Sequence, residues 1–100
     1  MSGYVYTKDE IIGAISPLVK KYGAERAILF GSYARQSADA ASDIDLIIVG
    51  GERFDPTDIF CIAEELHRSL DKKVDVFELS EINVGSAFYD AILAEGVQIA

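Results

Sequence analysis

Tryptophan is absent from this chain, cysteine and histidine occur once each, proline occurs twice, and only 9 Lys+Arg stand against 17 Asp+Glu. Each scarcity excludes something. A lone cysteine, Cys61, rules out an internal disulfide framework, and with His67 as the one histidine no Cys/His spacing suggests a zinc site. Cys61 lies in an apolar helical stretch and reads as a small buried hydrophobe rather than a reactive thiol. His67 sits beside the same stretch with no partner motif around it, and reads as a surface or hydrogen-bonded histidine. The formal net charge of −8 argues against unaided binding of RNA or DNA, whose phosphates call for a basic face. Carboxylates suit hard divalent cations instead. No apolar run approaches a membrane span. The start, Met1-Ser2-Gly3-Tyr4, lacks the basic and apolar regions of a signal peptide. The expectation is a soluble, cytoplasmic protein without membrane contact.

What is present is an ordinary globular composition. Hydrophobic residues make up 50% of the 100 positions, with charges interspersed. That length suits one domain over residues 1–100, able to bury roughly 60–70% of its unfolded surface. There is no repeat, low-complexity tract or linker. Thr7-Lys8-Asp9-Glu10 has the form of a capping box, followed at helical spacing by Ile11, Ile12, Ile15, Leu18, Val19 and Tyr22. Pro17 either kinks this helix or opens a second one capped by Ser16, and Gly23 ends it. Arg26 to Phe30 reads as a buried strand, Ser42 to Val49 as a second, and Lys73 to Leu79 as a third. A helix beginning near Thr57 or Asp58 carries Ile59, Ile62, Ala63, Leu66 and Leu70 on one face. Ser80 can cap the element after the third strand. Phe88, Tyr89, Ile92 and Leu93 suggest a last helix with Gly96 at its end, before a short strand at Val97-Gln98-Ile99. Alternation of helices and strands predicts an α/β (α+β) sheet covered by helices.

Three local features carry chemistry. Gly31-Ser32 follows a buried strand and precedes a short helical stretch, Tyr33-Ala34-Arg35. Glycine permits close backbone approach, and free N–H groups at a helix start bind phosphate; an ordinary turn has the same look. Asp43-Ile44-Asp45 opens an apolar strand, and residues i and i+2 share a face. Two carboxylates ~5 Å apart at an effective dielectric of ~20 repel by ~3 kcal/mol, which a divalent cation offsets; a solvated strand end is the plain alternative. Asp75, within Lys73-Val74-Asp75-Val76-Phe77, is out of place in a short apolar strand unless the strand is an edge facing water. Beside Asp43 and Asp45 it would complete a three-carboxylate site. Carboxylate-held metal ions can clamp the oxygens of a phosphoryl displacement, and a third carboxylate can take a proton.

Together, Phe30-Gly31-Ser32-Tyr33-Ala34-Arg35, Ser42-Asp43-Ile44-Asp45-Leu46 and Val74-Asp75-Val76 resemble the signature of the polymerase-beta nucleotidyltransferase superfamily. The resemblance is to its minimal branch, the MNT domains, and runs from about Glu10 to the C-terminus. It implies a small mixed sheet with helices mainly on one face and the site on the other, at the ends of the strands carrying Gly31, Asp43 and Asp75. It implies that Gly31 and Ser32 hold a triphosphate, that Asp43 and Asp45 ligate the metals, and that Asp75 is the third acid, serving as base and metal ligand. Arg35 matches the motif arginine, either as a phosphate or acceptor contact or as a salt bridge fixing the loop. Ser42 fits a loop-orienting role better than a chemical one. Gln36 departs from the family, which usually has glycine there. The implied cofactors are two Mg2+ ions, with ATP as donor. Larger members add domains for base and acceptor, so a partner is expected to supply those surfaces. The resemblance further implies a HEPN-type toxin as that partner, with AMP transferred to one of its tyrosines. A non-catalytic module acting by contact, or transfer to RNA or a small aminoglycoside, stands as the alternative. A homo-oligomer is compatible with the sequence.

Overall fold

The first helix shows why local sequence dictates much of this fold. In the computed structural model, which describes residues 4–100, the Thr7 hydroxyl accepts from the Glu10 N–H at 3.1 Å and the Glu10 carboxylate accepts from the Thr7 N–H at 2.9 Å. This reciprocal cap opens α1 (Lys8–Lys21) and satisfies two otherwise orphaned donors. Pro17 lies inside one continuous helix. The carbonyl its missing N–H leaves unpaired belongs to Gly13, which is exposed and open to water. Gly23, at φ +72°, turns the chain out of α1 as a left-handed residue following the cap. Met1, Ser2 and Gly3, on which the reading of the chain's start rested, lie outside the described residues.

After α1 come β1 (Arg26–Phe30), α2 (Gly31–Ala34), β2 (Ile44–Val49), α3 (Asp58–Leu70), β3 (Val74–Glu78), a 3-10 turn at Leu79–Glu81, α4 (Ala87–Glu95) and β4 (Val97–Gln98). The strands form one mixed sheet in the order β3-β2-β1-β4. β1 pairs antiparallel with β2 and β4. β2 and β3 are parallel, which requires the crossover that α3 provides.

Period-two patterning sends Ala27, Leu29, Ile44, Leu46, Ile48 and Val74 to one face of the sheet. There they meet Ile11, Ile15, Leu18 and Val19 of α1 and Ile62, Leu66 and Leu70 of α3 in one core. Each fully buried Ile or Leu contributes roughly 1.5–3 kcal/mol. Tyr6 reaches across to donate its hydroxyl to the Leu70 carbonyl at the end of α3. The opposite face is divided. Ile28, Ile47 and Phe77 form one cross-strand row, and α4 lies against it. Phe88 packs edge-on against Phe30 at 5.6 Å and Phe77 at 5.4 Å between ring centroids, and Ile47 and Ile92 are both buried. The neighbouring row is Phe30, Asp45 and Asp75. Thus α1 and α3 share one face, and α4 borders the carboxylates on the other.

Two expectations need correcting. Cys61 is exposed, not buried, because α3 turns Ile62, Leu66 and Leu70 inward and Cys61 projects about 100° from Ile62 around the helix. Ser80 does not cap the element after β3: it lies inside the 3-10 turn Leu79–Glu81, which Glu78 caps. The Ser80 N–H donates to the Glu78 carboxylate at 2.8 Å, while Ser86 caps α4 by accepting from the Tyr89 N–H at 3.1 Å. Among the described residues no helix is long and apolar enough to cross a membrane.

Candidate active site

β1 ends at Phe30 and the chain turns at once into α2 through Gly31, whose φ is +74°. A Cβ on Gly31 would stand 2.5 Å from Oδ2 of Asp45. Glycine here leaves room for a carboxylate as well as permitting the turn. The first turn of α2 leaves backbone N–H groups without helical acceptors. Ser32 lies half-buried in that turn, and its carbonyl accepts from the Ser37 N–H at 2.9 Å. Gln36 sits at φ +59°, a left-handed conformation that explains in physical terms why glycine suits this position.

Antiparallel pairing places the end of β1 beside the start of β2, with Phe30 opposite Asp45. Parallel pairing then places Asp45 opposite Asp75. Asp43 stands just before β2 and is exposed, whereas Asp45 and Asp75 are half-buried. Burial pushes the Asp45 carboxyl above its ordinary value. The negative charges of Asp75 and Asp43 and a hydrogen bond shared with Asp75 push it further, and Lys73 offsets part of the rise. The fold therefore gathers Gly31, Asp43, Asp45 and Asp75 at one end of the sheet.

The other two motif residues have local partners. Arg35 pairs with Glu95 of α4 at 3.7 Å, both half exposed, which fastens the loop to the helix but contributes little energy in water. The Ser42 hydroxyl accepts from the Asp39 N–H at 2.9 Å and donates to Asp39 Oδ1 at 3.2 Å. Ser42 thereby shapes the turn that delivers Asp43.

Two lysines were missed in the sequence. Lys72 is only 5% exposed, and its ammonium donates to the carbonyls of Ala40 at 3.0 Å and Ser42 at 3.1 Å. It ties the loop before Asp43 to the start of β3. Lys72→Met is expected to lower stability by about 2 kcal/mol, since hydrogen bonds from a charged donor are lost and two carbonyls are left unpaired. Urea denaturation measures the loss, and faster amide exchange around residues 40–43 would locate it. Lys73 Nζ stands 3.9 Å from both Asp43 Oδ2 and Asp75 Oδ1. The adjacent Lys-Lys pair resembles a solvated charge run, and only its place in the fold distinguishes the two.

The sequence matches the family described as polymerase beta, nucleotidyltransferase, over residues 14–100. The chain belongs to this family. It is 37% identical over 91 residues to a Methanocaldococcus jannaschii protein named "Putative protein adenylyltransferase", covering 91% of this chain and 96% of that one. A toxin-antitoxin crystal structure containing AMP-PNP superimposes with a TM-score of 0.76 at 23% identity, covering 89% of this chain and 72% of that one. A complex of a tri-AMPylated Shewanella oneidensis HEPN toxin with its MNT antitoxin gives 0.65 at 22% identity, covering 93% and 68%. At these identities the structural matches speak for the fold, that of a polymerase-beta-like nucleotidyltransferase.

Proposed function

We propose that this chain is a magnesium-dependent nucleotidyltransferase, acting as one minimal domain, that moves AMP from ATP to a tyrosine hydroxyl of a HEPN-type toxin and so serves as an antitoxin. The observation that carries this reading is the pairing of Asp45 with Asp75 beside Gly31. The name of the archaeal relative and the AMP-PNP and tri-AMPylated toxin in the two complexes support adenylyl transfer to a protein.

The donor set suits magnesium. Among the described residues no three His, Cys, Asp or Glu side chains converge tightly enough to cage an ion unaided. Magnesium does not ask for a cage; it binds one or two carboxylates and completes its shell with water and substrate phosphates. Burial first, and then the charges of Asp75 and Asp43, resist ionisation of Asp45, and a divalent cation would offset the repulsive part. Asp43, Asp45 and Asp75 would hold the metal, as two ions by analogy with the family. When bound, it supplies charge neutralisation to the phosphates.

The chain's own groups do the rest. Backbone N–H groups at Gly31 and Ser32 hold the triphosphate. A carboxylate oxygen of Asp75 takes the proton of the acceptor hydroxyl as the acceptor's own oxygen bonds to the α-phosphorus. The bond from α-phosphorus to the bridging oxygen breaks and pyrophosphate leaves. Phe77 and Phe88, 39% and 36% exposed beside the acids, offer an aromatic border for an incoming tyrosine ring. The net charge of −8 favours encounter with a basic, RNA-binding partner.

The test is intact-mass spectrometry of the toxin after incubation with ATP and magnesium. A gain of whole AMP units is expected with the parent and is expected to vanish with Asp75→Asn. Equal inhibition by both proteins without a mass gain would establish neutralisation by contact alone. Label on an RNA end or an aminoglycoside would keep the chemistry and replace the acceptor.

A further inference from the structure

Lys73 is the feature that neither the motif nor the proposed transfer uses. Its backbone is anchored, since its carbonyl accepts from the Ile44 N–H at 3.2 Å at the start of the β2–β3 pairing. Its side chain is 65% exposed, and the ammonium stands 3.9 Å from a carboxylate oxygen of Asp43 and 3.9 Å from one of Asp75. An ordinary surface ion pair engages one acid. This cation lies between two, contributed by the loop before β2 and by β3. Neighbouring cations are committed elsewhere: Lys72 to two carbonyls and Arg35 to Glu95.

We propose that Lys73 is an internal counter-cation: its ammonium occupies the space between Asp43 and Asp75 in the metal-free site and is exchanged for the incoming divalent cation. This inference rests on the metal site proposed above. The exchange has two physical consequences. In the metal-free protein Lys73, 3.9 Å from a carboxylate oxygen of each of Asp43 and Asp75, relieves the repulsion between those two acids. When a divalent ion arrives, the same charge repels it, and the flexible exposed stem lets the ammonium swing into water at small cost. Lys73 thereby raises the divalent-ion concentration the site needs in the absence of nucleotide. A metal carried in with triphosphate brings negative charge that can receive the displaced ammonium.

The experiment measures Mn2+ binding to the nucleotide-free protein by electron paramagnetic resonance, for the parent, Lys73→Ala and Lys73→Arg. Lys73→Ala is expected to bind Mn2+ roughly threefold to tenfold more tightly, the range given by removing two solvent-screened ion pairs. Lys73→Arg, which keeps the charge, is expected to stay near the parent. Thermal melting supplies a second readout. Lys73→Ala is expected to melt lower than the parent in chelator, with the gap closing at saturating Mn2+. Equal or weaker Mn2+ binding by Lys73→Ala would overturn the exchange while leaving the metal site standing. If none of the three proteins takes up Mn2+ without nucleotide, the exchange falls; if none takes it up with AMP-PNP present either, the metal site falls with it.

Discussion

Asp45→Asn is expected to melt higher than the parent in metal-free buffer while losing AMP transfer by about a thousandfold or more, the scale of several kcal/mol of charge stabilisation in the transition state. Asp45 is half-buried and faces Asp75 across the parallel pair. Burial first, and then the charges of Asp75 and Asp43, hold its proton to a higher pH than the ordinary 3.8. Between that ordinary value and the raised one, the folded state binds more protons than the unfolded state. Stability contributed by Asp45 is therefore full in acid and erodes as pH rises through this window. The asparagine variant has nothing to lose there. Its advantage should be complete near neutral pH and should disappear below the ordinary carboxylate value. Melting curves at both ends of that range check the sign. A large loss of metal-free stability at neutral pH would make Asp45 a structural residue and remove it from the site.

Gly31→Val is expected to remove AMP-PNP binding and to cost about 2–4 kcal/mol of stability, because two penalties coincide. The residue sits at φ +74°, where a non-glycine residue costs about 1–2 kcal/mol and a β-branched one more. Any Cβ also falls 2.5 Å from Asp45 Oδ2, so the carboxylate must shift. A double-mutant cycle separates the two. Gly31→Ala should cost less in an Asp45→Ala background, where the colliding oxygen is gone and only the backbone strain remains. An equal cost in both backgrounds would show that the glycine serves the turn alone. Calorimetry with unchanged AMP-PNP affinity in Gly31→Val would remove Gly31 from the proposed nucleotide site.

The elements that sequence reading located best are those specified by nearest neighbours. The capping box at Thr7 and Glu10, β1 at Arg26–Phe30 and the start of α3 at Asp58 lie where local patterning places them. Boundaries shifted where pairing decides them. The second strand opens at Ile44 rather than Ser42 and the third closes at Glu78, because a residue belongs to a strand only while a partner accepts its hydrogen bonds. Cys61 was misread for a related reason. An apolar stretch does not say which residues point inward until the helix phase is set against a core.

The chemical inventory was likewise local. Gly31-Ser32, Asp43-Ile44-Asp45 and Val74-Asp75-Val76 are short strings whose backbone demands and shared faces come from strand and turn geometry, and they suffice for the family resemblance. Their union is not local. Asp45 and Asp75 meet only because the crossover through α3 sets β2 and β3 in one register. A one-residue slip would turn Asp75 to the face covered by α1 and α3. The same crossover puts Lys72 beneath the loop carbonyls and Lys73 between two acids, although adjacent lysines look alike in a sequence. The packing of α4 sets Glu95 beside Arg35, a neighbour that its motif position did not reveal. Composition and periodicity thus determined which groups this protein carries and which elements bear them. Packing of α1 and α3 on one face, and of α4 on the other, decided which groups meet, since burial selects a single register and only that register assigns each charge its neighbours.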